Sequence, residues 1–129
     1  MSYSIDRTLA DISFDDAVSR VTDALAREGF GILTDIDVGN TLKKKLGVDF
    51  RRYRILGACN PHLAYQALQH ENKIGTMLPC NVLVQELEGG HIEVSAVDPV
   101  ASMQAVDNPK LGDIAASVRG KLQRVIEGV

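Results

Sequence analysis

Residues 53–69, YRILGACNPHLAYQALQ, decide how the chain is built. Tyr53, Ile55, Gly57 and Cys59 fall at every second position, which places them on one face of a strand. Asn60 followed by Pro61 then opens a helix that carries Ala64, Ala67 and Leu68. The physical reason is local: an asparagine side chain accepts from an unpaired amide of the first helical turn, and proline lacks an N–H that this turn leaves unused. A strand therefore ends at Cys59 and a helix begins at Pro61.

Working outward, Cys80 to Leu87 (CNVLVQEL) and Ile92 to Val97 (IEVSAV) are β-rich runs joined through Glu88, Gly89, Gly90 and His91, the pattern of an antiparallel hairpin. Upstream, Tyr3, Ile5 and Leu9 alternate as a first strand, and Ser13 with Asp16 marks a helix start. Phe14, Ala17, Val18, Val21 and Leu25 form its apolar stripe, with Gly29 as a left-handed stop. Phe30, Ile32 and Ile36 are expected on one face of a second strand. Asp37 caps a short helix carrying Leu42 and Leu46, which Gly47 ends. Downstream, Asp98-Pro99 and Asn108-Pro109 repeat the cap-then-proline device. The second opens a terminal helix striped by Leu111, Ile114, Ala115, Val118, Leu122, Val125 and Ile126. The expected architecture is one α+β domain over residues 1–129, with a mixed, largely antiparallel sheet and helices packed mainly on one face.

Composition agrees with one core. The 129 residues are 45% hydrophobic and 24% charged, and a chain of this length holds together without disulfides or a structural metal. With 5% aromatic residues, no Trp and a net charge of -3, a base-stacking nucleic-acid surface is not expected. Met1 to Arg7 (MSYSIDR) has no apolar core of a secretory signal. Asn60, Pro61, His62, Gln66 and Gln69 interrupt the longest uncharged stretch, so no membrane partner is expected and the cytoplasm is the expected compartment. In that reducing setting the two cysteines are thiols.

Cys59 is the sharpest chemical feature. Gly57 and Ala58 leave room for approach, and the helix amides beyond it favour a thiolate, as a nucleophile or a metal ligand requires. The competing account is a small thiol filling a strand–helix corner. Cys80, after Pro79, meets Cys59 only if the chain returns antiparallel; a parallel crossover would hold them roughly 20 Å apart. Residues 72–79 are long enough for the antiparallel return, which would permit a reversible disulfide or a shared metal. His62 could join Cys59 and Cys80 around a soft or borderline metal, although three ligands without a C-x-x-C pair make no zinc signature. His70 lies about 12 Å further along the helix, and His91 sits in the hairpin turn.

Charge is uneven. Residues 43–54 carry a net +5 and residues 1–42 a net -5. Lys44, Lys45, Arg52 and Arg54 thus form a candidate site for an anionic ligand, or for the acidic third of a partner subunit; the alternative is a solvated face. Glu86 and Glu93 could face one another across the hairpin, again as a solvated pair. Gly29-Phe30-Gly31 lacks the third glycine of a dinucleotide fingerprint, and no phosphate loop, H-E-x-x-H or G-x-S-x-G motif occurs.

Residues 46–50 (LGVDF), residues 53–61 (YRILGACNP), Ala64, Gly75 and residues 78–82 (LPCNV) together resemble the bacterial and archaeal family called domain of unknown function 302. The resemblance covers nearly the whole chain, including Gly89-Gly90 and Asp98-Pro99. It implies a small α/β fold, commonly a homodimer, with no agreed activity or cofactor. The resulting expectation is a homodimeric small-ligand or metal-binding module built on Cys59, Asn60, Pro61, His62 and Cys80. Two alternatives stand beside it: a thiol redox enzyme or sensor in which Cys59 attacks and Cys80 resolves, and an interaction or scaffold dimer whose cysteines only pack.

Overall fold

Side-chain caps set most of the helix starts in the computed structural model, which describes residues 2–129. In chain order the elements are β1 (Ser4–Leu9), α1 (Phe14–Arg27), β2 (Gly31–Asp37), α2 (Val38–Leu46), β3 (Tyr53–Cys59), α3 (Pro61–His70), β4 (Cys80–Glu86), β5 (Ile92–Val97), α4 (Pro99–Ser102) and α5 (Leu111–Glu127). Ser13 Oγ accepts from the Asp16 amide at 3.1 Å, Asp37 Oδ1 from Asn40 at 2.9 Å and Asn60 Oδ1 from Leu63 at 3.3 Å. Asp98 Oδ1 accepts from both Val100 and Ala101. The exception is α5, which starts at Leu111 rather than directly after Asn108. Asn108 Oδ1 accepts from the Lys110 amide at 3.1 Å, and its Nδ2 donates to the His70 carbonyl at 2.8 Å, fastening the end of α3.

The strands form one sheet in the order β1-β5-β4-β3-β2, and all four pairings are antiparallel. Helix α1 therefore carries the chain from one edge strand to the other. Leu56, Ala58, Val82, Val84, Ile92, Val94 and Ala96 share the sheet face that packs on Phe14, Val21 and Leu25 of α1 and Leu122 and Val125 of α5. Each large side chain buried there contributes about 1.5–3 kcal/mol of transfer free energy. On the opposite face, Tyr53, Ile55, Leu83 and Gln85 remain partly exposed. At the far edge, Arg7 Nη1 on β1 donates to the carbonyls of Ile126, Glu127 and Val129, satisfying acceptors that the end of a helix leaves free.

Two expectations about strand faces are corrected. A bulge at Leu33 breaks the alternation of β2: Ile32 pairs with Ala58, but Thr34 pairs with Gly57 and Ile36 with Ile55. Ile36 thus lies on the face opposite Ile32, because one extra residue reverses every later side chain. Glu93 pairs with Gln85, whose Nε2 donates to it at 3.0 Å, while Glu86 pairs with Ile92; the two glutamates lie on opposite faces.

A second, smaller cluster of Ala67, Ile74 and Leu111, with Leu78, Met103 and Ile114 packed on it, sits where α3 meets the start of α5. Among the described residues, no helix is long and apolar enough to cross a membrane.

Candidate functional site

Antiparallel pairing brings the end of β3 and the start of β4 together: Ala58 is the cross-strand partner of Cys80, and Cys59 follows directly, paired with Gly31. Both thiols are free. Cys59 is half-buried, while Cys80 is 7% exposed. Burial pushes the Cys80 thiol up to about 11, and the neighbouring Cys59 adds to the shift. Cys80 is therefore a neutral thiol at physiological pH. Gly57 is required by close approach: a Cβ there would lie 2.1 Å from Thr34 Oγ1 and 2.7 Å from Pro79 Cγ.

The two cysteines line a cavity of about 280 Å³. One wall is α3 through Leu63, Ala64, Ala67 and Leu68; another is α5 through Ile114, Ala115 and Val118. Phe30, Ala58 and Leu78 close much of the remainder. Its lining draws on both hydrophobic clusters, so the cavity is the unfilled seam between them. Leu33, 67% exposed on its bulge, and Leu68, 45% exposed on α3, stand at the mouth. Among the described residues, no charged side chain lines the space. Asn60 does, but its Oδ1 caps α3 and its Nδ2 donates to the Glu28 carbonyl at 3.4 Å.

His62 is not part of this arrangement. It is exposed on the first turn of α3, whose inward residues are Leu63, Ala64 and Ala67. Of the expected set of Cys59, His62 and Cys80, the two cysteines line the cavity and His62 does not. Among the described residues, no group of three or more His, Cys, Asp or Glu side chains is placed to hold a metal ion. Pro61 is likewise exposed and begins the helix without lining the cavity.

Three of the six cations in the basic segment, Lys43, Arg52 and Arg54, are paired within the chain. Arg52 pairs with Asp15 at 2.7 Å and lies over the Phe14 ring, Arg54 forks onto Asp35, and Lys43 pairs with Asp49 at 2.9 Å. The Arg54 hydrogen bonds hold the Asp35 carboxyl below the usual carboxylate range against its partial burial. A cleft of about 330 Å³ beside these groups is lined by Lys43, Arg52 and Arg54, but also by Asp37 and Asp49. Lys44 and Lys45 point elsewhere on exposed positions of α2 and do not line it.

The contribution of α5 and of Phe30 and Leu33 to the cavity was absent from the residue-level reading. Its trace in the sequence is the small residue at Ala58, Ala64, Ala67 and Ala115 on otherwise apolar stripes.

A five-stranded antiparallel sheet with its helix layer on one face, and a thiol-lined apolar cavity at one end, defines a small α+β protein. The chain belongs to the family described as domain of unknown function DUF302, which it matches over residues 5–129. The crystal structure of an uncharacterized conserved DUF302 protein from Bacillus stearothermophilus has the same fold, with a TM-score of 0.90 at 26% identity over 98% of each chain. No curated protein matches the chain.

Proposed function

We propose that this protein binds a small, uncharged, predominantly apolar molecule in the cavity between α3 and α5. The observation that carries the reading is a space of about 280 Å³ lined by aliphatic side chains and two thiols, with no charged lining residue among those described. That volume corresponds to roughly nine water-sized units at about 30 Å³ each, which suits a short aliphatic or alicyclic molecule and is too small for a nucleotide or a folded peptide. A charged ligand would lose its hydration there without gaining a partner, which costs several kcal/mol.

The cytoplasm is the setting of this reading, where both thiols stay reduced. A homodimer is part of it: Tyr53, Ile55 and Leu83 lie on the sheet face that carries no helix, where a second copy could cover them. Sedimentation at micromolar concentration tests that assignment, and a monomer would remove it.

For the ligand, the test is displacement of the neutral fluorophore N-phenyl-1-naphthylamine by 1-octanol, on the wild-type chain and on Ala67→Phe. The expected result is one saturable site that the phenyl ring abolishes while the circular dichroism spectrum is retained. Equal binding by the folded variant would place any affinity elsewhere and refute the reading.

A further inference from the structure

We propose that Cys59 captures its ligand covalently, and that the ligand is an apolar α,β-unsaturated aldehyde or ketone. The inference rests on the apolar-cavity reading above and names the substrate class for that cavity. Two observations are combined. The half-buried Cys59 and the nine-tenths-buried Cys80 line the same space. The space also has no charged wall among the described residues, so whatever forms on a thiol in it must be neutral.

That condition separates the reactions open to a thiol. A metal thiolate leaves charge in the cavity, and the third ligand it would recruit, His62, faces outward. Acyl transfer needs a group to carry protons to and from the leaving group, and no His or carboxylate lines the site among the described residues. Conjugate addition has no leaving group to protonate, and the one proton it moves passes through solvent. Cys59 Sγ forms a bond to the β-carbon, the C=C π pair moves toward the carbonyl, and the thiol proton ends on the α-carbon. Nothing leaves, nothing is oxidised or reduced, and the product is a neutral thioether. Cys59 is the nucleophile because it is only partly buried, while Cys80 is 7% exposed.

The test uses the full chain with trans-2-octenal as the apolar electrophile and acrylamide as a small polar one, followed by intact mass and peptide mapping after borohydride trapping. The expected result is a single octenal adduct on Cys59, formed roughly tenfold or more faster than the acrylamide adduct after correction for their rates with free cysteine, because the cavity holds the reagent against the sulfur. Ala67→Phe should slow octenal to the free-cysteine ratio and leave acrylamide unchanged. Should that variant fail to fold, Ala64→Leu at a half-buried wall position carries the same expectation. Cys59→Ser should lose the adduct.

An adduct on Cys80, or no preference for octenal over acrylamide, overturns the inference. So does a loss of two mass units without an adduct, which would assign the thiols to a disulfide. If 1-octanol binds and octenal shows no preference, only the covalent step falls; if 1-octanol fails to bind, the cavity reading falls with it.

Discussion

Alkaline titration of Cys80 gives a stability change whose size follows from its burial. The thiol has an ordinary value of 9.0 and is raised to about 11 in the folded chain. A group whose folded value is raised contributes its full stability below the unfolded value and loses it as pH rises through the folded one. The loss is the ratio of the two deprotonation terms: about 0.4 kcal/mol at pH 9, about 1.4 at pH 10 and about 2.3 at pH 11, approaching about 2.7. Other groups also titrate in this range, so the assay is a difference. Urea unfolding of the wild type and of Cys80→Ala is measured at each pH from 8 to 11. Removing the sulfur costs a fixed packing increment, and everything except the thiol cancels. The wild type should therefore lose about 2 kcal/mol relative to the variant between pH 8 and pH 11. A flat difference would show that water reaches Cys80 and that the cavity floor is not closed.

Three further outcomes are expected. Asp98→Ala should cost about 2–4 kcal/mol in urea unfolding, since it removes the cap on Val100 and Ala101 and the partner of Arg119 Nε at 2.9 Å. Burial raises the Asp98 carboxyl, but the hydrogen bonds from Arg119, Ala101 and Val100 outweigh it and hold the group low; its stability is therefore present above about pH 4 and lost below, and Asp98→Asn should flatten that acid limb. Gly57→Ala should lower stability by about 1–3 kcal/mol through overlap with Thr34 and Pro79, and an unchanged melting temperature would contradict the close approach. Ala67→Leu should add about 2 kcal/mol by burying three carbons in the empty seam while weakening 1-octanol binding, and a destabilised variant would mean that the space is not available to fill.

How much of this could be read from the residues depends on how local each signal is. The β3–α3 junction was legible because Asn60 and Pro61 act within one helical turn, and the Glu88–His91 hairpin because its glycines take left-handed φ values of 82° and 83°. The passage of α1 across the sheet was not legible, since no residue within α1 specifies which edge β2 joins. Nor was the bulge at Leu33, which moves Ile36 to the other face while leaving the apolar spacing of the segment intact. The pairing of the basic cluster was hidden for the same reason. Asp15 and Asp35, the partners of Arg52 and Arg54, lie 37 and 19 positions away, so a charge count over residues 43–54 does not include them. The cysteines came together as the antiparallel return implied, whereas the cavity they line depends on small residues from three separate elements failing to meet.

That last dependence bears on function more than the cysteines alone do. Ala58, Ala64, Ala67 and Ala115 converge on one seam between two well-packed clusters, and a single larger aliphatic side chain there would bury more surface. A void that stabilising substitutions can close is a cost unless something occupies it, and activity retained at the expense of stability is the usual mark of a functional site. The cysteine–asparagine corner and the void explain one another on this account. Asn60 spends its hydrogen bonds on capping α3 and on the Glu28 carbonyl, which fixes the start of the helix that walls the cavity beside Cys59. An anion, a metal or a redox partner would each call for charged or proton-transferring neighbours at that corner. A neutral apolar molecule calls only for the space and the thiol.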